Sequence, residues 1–120
     1  MHELGVVFHI VDQVEAVAKE NNVKHISKVT LEVGEVSTIV PDYFRDCWKW
    51  AVNKSEYMKN CELEMIIIKA FTYCNGCEKT YETVKNGRKC PYCGSSDTYL
   101  YTGSEVNIKS VETDDDKGSS

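Results

Sequence analysis

Cys74-Asn75-Gly76-Cys77 and Cys90-Pro91-Tyr92-Cys93-Gly94 set four cysteines in a C-x2-C-x12-C-x2-C pattern. A two-residue spacing lets a pair of thiolates grip one face of a tetrahedral ion, and two such pairs close the coordination. The stretch that carries them, from Tyr73 to about Leu100, is turn-rich and short of aliphatic side chains. It must be stabilised by something other than an apolar core, and it reads as an inserted metal module. Gly76 and Gly94 are expected to supply the positive φ of tight knuckles, bringing backbone N–H groups toward the sulfurs. Lys79, Lys85, Arg88 and Lys89 offset part of the dianion that four thiolates and a divalent ion would form. An all-sulfur site leaves no open position for water or substrate, so its expected job is to fold the module. Structural zinc at Cys74, Cys77, Cys90 and Cys93 is the leading assignment. Rubredoxin-like iron fits the same geometry, and disulfides are a weaker third option.

The rest of the chain bounds what can surround this module. Its 120 residues leave room for one domain with a small insertion and exclude a large two-domain enzyme. A formal charge of −5 argues against nucleic acid as a partner, because binding through phosphates needs a basic face. No apolar run approaches the roughly 18 residues of a membrane helix. Met1-His2-Glu3-Leu4 lacks the basic region and cleavage site of a signal peptide, which places the expected protein in the cytoplasm.

Apolar residues at Leu4, Val7, Phe8, Val11, Val14 and Ala18 predict an amphipathic helix ended by Asn21-Asn22. Ile26 to Val33 alternates, with Val29, Leu31 and Val33 inward and Lys28, Thr30 and Glu32 outward, as in a half-buried strand ending at Gly34. Pro41 opens a second helix running to about Lys54, with a stripe of Tyr43, Phe44, Cys47, Trp48 and Ala51. Cys61 to Phe71 is rich in β-formers, and its run Ile66-Ile67-Ile68 predicts a central strand covered on both faces. Glu105 to Val111 alternates again and is expected to return to the first sheet. Cys47 and Cys61 lie outside the metal pattern and are expected as small buried hydrophobes. The expected fold is α/β (α+β). Its domains are residues 1–70 plus 101–112, a metal module at 71–100, and a disordered acidic tail or cloning remnant at 113–120.

A free amino terminus followed by histidine combines an amine, two backbone amides and an imidazole in Met1-His2-Glu3. That set can form a planar nitrogen chelate suited to Ni²⁺ or Cu²⁺. Alone, His2 reads first as a surface residue before the first helix, because the dipeptide His2-Glu3 is a weak signal.

Met1-His2-Glu3-Leu4 at the start, Val33-Gly34-Glu35 after the first strand, Pro41 at the second helix, and the paired Cys-x-x-Cys units before a closing strand occur here in one order. In that combination, over nearly its whole length, the chain resembles the HypA/HybF family of nickel metallochaperones for [NiFe]-hydrogenase maturation, some of which also serve urease. The resemblance implies a small, mostly antiparallel three-stranded sheet covered by two helices. It implies His2 as the essential nickel ligand with Met1 and Glu3 contributing, and structural zinc on the four cysteines. It further implies a HypB-type GTPase and the hydrogenase large-subunit precursor as partners, with urease accessory proteins in members that serve urease. Gly5 departs from the Ser or Ala of many members and should loosen the turn beside the site.

His9, seven residues after His2, shares its helix face and is read first as an ordinary helix histidine. His25 is left unassigned as a solvent-facing residue, and Glu32 and Glu35 as charges on a strand edge. The expected function is nickel delivery without catalysis. The rival readings are a zinc-ribbon interaction module presenting its tyrosines and a rubredoxin-like electron carrier.

Overall fold

The structure is a computed structural model that describes residues 3–114. The elements follow as α1 (Glu3–Glu20), β1 (Ile26–Gly34), α2 (Pro41–Val52), β2 (Glu62–Ile68), β3 (Phe71–Cys74), β4 (Thr80–Glu82), α3 (Thr83–Asn86), β5 (Thr98–Thr102) and β6 (Val106–Thr113). One three-stranded sheet has the order β2-β1-β6 and a second the order β4-β3-β5. The described residues divide into two compact units, one of residues 3–31, 39–65 and 108–114 and the other of residues 32–38 and 66–107.

In the first unit, helix α1 starts on Glu3 and ends near Lys19, each charge opposed to its end of the helix dipole. Asn22 takes a left-handed φ of 57°, and the Val23 N–H returns to the Ala18 carbonyl at 2.9 Å, which stops the helix. Pro41 occupies the first turn of α2, as its fixed φ and missing N–H favour. Val7, Ile10, Val11, Val14 and Ala18 from α1 are buried, as are Phe44, Cys47, Trp48, Ala51 and Val52 from α2. With Ile26, Val29 and Leu31 of β1 they form the core of this unit. The predicted stripes slip at their edges: Leu4, Phe8 and Tyr43 are exposed, and Phe8 meets Trp50 edge-on at 5.7 Å. The Trp48 indole N–H donates to the Cys61 carbonyl at 3.0 Å, tying α2 to the segment entering β2.

Two strand expectations change. The isoleucine run does not make a central strand: β2 lies at a sheet edge, and Ile67 is half exposed. The centre is β1, and its Thr30, expected to point outward, is 4% exposed while Lys28 and Glu32 on either side are half-buried. The Thr30 hydroxyl donates to Glu64 Oε1 at 3.3 Å.

The second unit holds the short sheet, with β3 paired antiparallel to both β4 and β5. Strands of three to five residues fall below the length at which alternation can be read, so this sheet was not expected from the sequence. Cys74, Tyr81 and Cys90 form its buried cluster, with Cys77 packed against them. The Tyr81 hydroxyl donates to the Gly87 carbonyl at 3.0 Å.

Candidate metal centre

β3 ends on Cys74, and the chain turns at once through Asn75 and Gly76 to Cys77. The second pair stands on an equivalent turn. Glu78 N–H donates to the Cys74 carbonyl at 2.8 Å, and Gly94 N–H does the same to Cys90 at 2.9 Å. Cys74 N–H reaches the Lys79 carbonyl and Cys90 N–H the Ser95 carbonyl, each at 2.9 Å. The two knuckles therefore repeat one backbone pattern.

The positive φ falls after each second cysteine, at Glu78 (61°) and Gly94 (77°). This corrects the expectation for Gly76, which has no positive φ and sits in a close-packed turn. A Cβ there would lie 3.3 Å from the Ser95 Cβ and 3.5 Å from the sulfurs of Cys74 and Cys93.

The four Sγ atoms all lie within 4.8 Å of one another. Cys74 is 3.6 Å from Cys93 and Cys77 is 3.6 Å from Cys90, so the close pairs join one knuckle to the other. An ion bound to sulfur at about 2.3 Å sets tetrahedral edges of about 3.8 Å, close to these separations. All six cysteines are free, and the sulfur pairs stand well beyond the roughly 2.05 Å of a disulfide.

Burial pushes the Cys77 thiol up to about 12, with the Cys90 sulfur adding to the shift. Burial also opposes ionisation of Cys90, but the N–H groups of Cys93 and Tyr92 together with the Cys77 and Cys74 thiols outweigh it and bring that thiol down to about 7. Tyr92 N–H points at Cys90 Sγ from 3.4 Å. These donors would stabilise a thiolate ligand. Lys79 lies over the Tyr92 ring at 5.0 Å, and Lys85, Arg88 and Lys89 are exposed.

Cys47 and Cys61 are buried in the first unit and belong to no metal cluster among the described residues. Burial first, then Glu62, raises the Cys61 thiol to about 12, which makes it inert. His9 is exposed on α1. Met1 and His2 lie outside the described residues. Glu3 is placed: its Oε2 accepts the N–H of Val40, the residue before α2, at 2.9 Å. Glu35 Oε1 accepts from Ala70 N–H at 3.0 Å, and Glu32 is half-buried. His25 was missed as a bonded residue. Its ring contacts Asp114 and the Lys59 carbonyl, 89 and 34 positions away, and no local pattern signals such partners.

The family described as "Hydrogenase/urease nickel incorporation, metallochaperone, hypA" matches residues 1–113. The chain belongs to the HypA family. It is 32% identical over 111 residues to a hydrogenase maturation factor HypA of Actinobacillus succinogenes, covering 92% of this chain and 97% of that one. It is 30% identical to the HypA of Aquifex aeolicus over 97% of this chain and all of the relative. The solution structure of the nickel metallochaperone HypA from Helicobacter pylori has the same fold, with a TM-score of 0.73 at 24% identity, over 94% of this chain and 97% of that one. The family is one of nickel-incorporation metallochaperones, and the four-sulfur site here fits a metal-binding module. Among the described residues no helix is long and apolar enough to cross a membrane.

Proposed function

We propose that this HypA protein binds Ni²⁺ at its amino terminus and delivers it during maturation of [NiFe]-hydrogenase, without catalysing a reaction. The observation that carries the reading is the family match over residues 1–113, a stretch that includes Met1-His2-Glu3. The Met1 amine, the His2 imidazole and the amides of His2 and Glu3 form the nitrogen set for the cargo ion, whose planar preference they suit. Glu3 supports this role from the side: its carboxylate is anchored on Val40 N–H, so the residue beside His2 has a fixed place at the start of α2. Amine and imidazole have ordinary pKa values of about 7.8 and 6.5, so acid competes with nickel and an exposed site can surrender it.

Cys74, Cys77, Cys90 and Cys93 would hold structural zinc, which supplies a closed tetrahedral centre for the second unit. A cytoplasmic HypB-type GTPase and the hydrogenase large-subunit precursor are the expected partners, with urease accessory proteins as the other destination that the family description allows.

Nickel titration by calorimetry on zinc-loaded protein tests the reading, with His2→Ala and a variant extended before Met1 alongside. The expected result is one nickel on the native protein, lost in both variants while zinc stays. Equal nickel binding by all three, or by none, overturns the terminal site and leaves a zinc-ribbon interaction module.

A further inference from the structure

We propose that His25 is a proton-operated latch that holds the end of β6 against the start of β1 and the segment leading into β2. The two ring nitrogens of His25 each face an oxygen: Nδ1 lies 2.6 Å from Asp114 Oδ2, and Nε2 lies 2.7 Å from the Lys59 carbonyl. A carbonyl oxygen can only accept, and so can a carboxylate when ionised. Neutral imidazole has one N–H and one lone pair, so it can satisfy only one of them; the imidazolium satisfies both. The geometry is therefore that of the charged ring.

The three segments joined here are far apart in sequence. His25 immediately precedes β1, Lys59 lies in the connection before β2, and Asp114 follows β6. From β6 the charged group facing the ring is Asp114. The nearby Glu112 is turned to Lys28, 3.9 Å away. From the connection before β2 the ring meets the Lys59 carbonyl, and the neighbouring Tyr57 carbonyl is taken by Ile26 N–H at 2.7 Å. Two further bonds lie beside the ring: Asp114 N–H reaches the His25 carbonyl at 3.4 Å, and Ser27 Oγ reaches the Glu112 carbonyl at 3.2 Å. Loss of the ring proton removes one of the two short contacts and the charge assistance of the other.

The direction of the proton affinity agrees. The Lys59 carbonyl and the Asp114 carboxylate outweigh the opposing effect of burial and raise His25 above its ordinary 6.5. A raised folded value means that the latch is complete below pH 6.5 and is lost as pH rises through that raised value. Proton binding by His25 and the hold of Asp114 on the ring are thus linked equilibria.

The test is an NMR titration of the full zinc-loaded chain, following the His25 ring together with the backbone amides of Lys59, Glu112 and Asp114. The expected result is a His25 midpoint above 6.5, with those amides moving at the same midpoint and the Asp114 amide losing several-fold of its exchange protection above it. Asp114→Asn should lower the midpoint, and His25→Gln should remove the pH dependence of the β6 amides without unfolding the chain. A midpoint at or below 6.5, a midpoint unmoved by Asp114→Asn, or β6 amides indifferent to the His25 titration would each overturn the latch.

Discussion

Gly34 and Gly103 approach so closely that a Cβ placed on Gly34 would stand 1.9 Å from the Gly103 carbonyl oxygen and 2.7 Å from Ser104 N. The contact is held by backbone bonds on either side. Gly34 N–H donates to the Glu105 carbonyl at 2.8 Å, and Val36 N–H donates to the Gly103 carbonyl at 3.0 Å. Gly103 is constrained again by a φ of 113° and by Ala70, whose Cα would lie 2.4 Å from an added Cβ. The glycine of Val33-Gly34-Glu35 is thus required by a crossing of two backbone segments, and the obstacle in each case is backbone that cannot swing aside.

Gly34→Ala and Gly103→Ala should each destabilise the chain by about 2–3 kcal/mol, through forced backbone displacement and, at Gly103, left-handed strain. Gly5→Ala should act in the opposite sense. Gly5 is exposed within α1, where alanine is the better helix former by about 0.5–1 kcal/mol. Thermal unfolding of the three variants checks the signs; an unchanged Gly34→Ala would mean that the crossing relaxes freely.

Glu105 links this crossing to pH. Its Oε1 accepts N–H bonds from Ser104 at 3.0 Å and Gly103 at 3.2 Å, and these hold its carboxyl below the ordinary 4.5. A depressed folded value contributes stability that is present above 4.5 and disappears as pH falls through the folded value. Glu105→Gln should therefore be less stable than the parent at neutral pH, and the two should converge in acid. Urea midpoints measured from neutral to acid pH test this, and a constant gap would rule it out.

The sequence showed most clearly what rests on local periodicity. α1, β1 and α2 were legible because their buried residues recur at one spacing, and the four cysteines because two-residue gaps have few other uses. What stayed hidden depends on partners distant in the chain. The Ile66-Ile67-Ile68 run looked buried on both faces, yet its strand ended at a sheet edge, because β1 took the centre. Thr30 reads as outward from the alternation and is buried, its hydroxyl bonded to Glu64 of the neighbouring strand. Gly76 reads from the sequence as a positive-φ position, but the structure puts the positive φ at Glu78 and leaves Gly76 tight only against the Ser95 Cβ, 3.3 Å from an added Cβ. The short second sheet left no alternation long enough to read, and Glu3 gave no sign that its carboxylate would serve the entry to α2.

Trp48→Phe should cost about 2–4 kcal/mol. The side chain is 2% exposed, and its N–H satisfies the Cys61 carbonyl at 3.0 Å. Phenylalanine keeps much of the apolar contact but leaves that acceptor without its indole donor and the larger ring's volume unfilled. Denaturant unfolding measures the loss, and a change below about 0.5 kcal/mol would show that the carbonyl finds another donor.

Removal of the metal should separate the two units. The buried cluster of the second unit's short sheet is Cys74, Tyr81 and Cys90 with Cys77 packed against it, so three of these four side chains are the proposed ligands themselves. The apparent binding free energy of a structural zinc, about 10–16 kcal/mol in small domains, then doubles as folding free energy. The first unit has a core of its own around Val7, Val14, Val29, Phe44 and Trp48, none of them a ligand. A strong chelator, or Cys77→Ser, should therefore abolish amide protection in β3, β4 and β5 while α1, β1 and α2 retain theirs. Hydrogen exchange read residue by residue decides the matter. Retained protection in β3 after complete loss of the metal would show that the knuckles fold through their backbone bonds alone, and simultaneous loss in α1 and α2 would show that both units unfold as one.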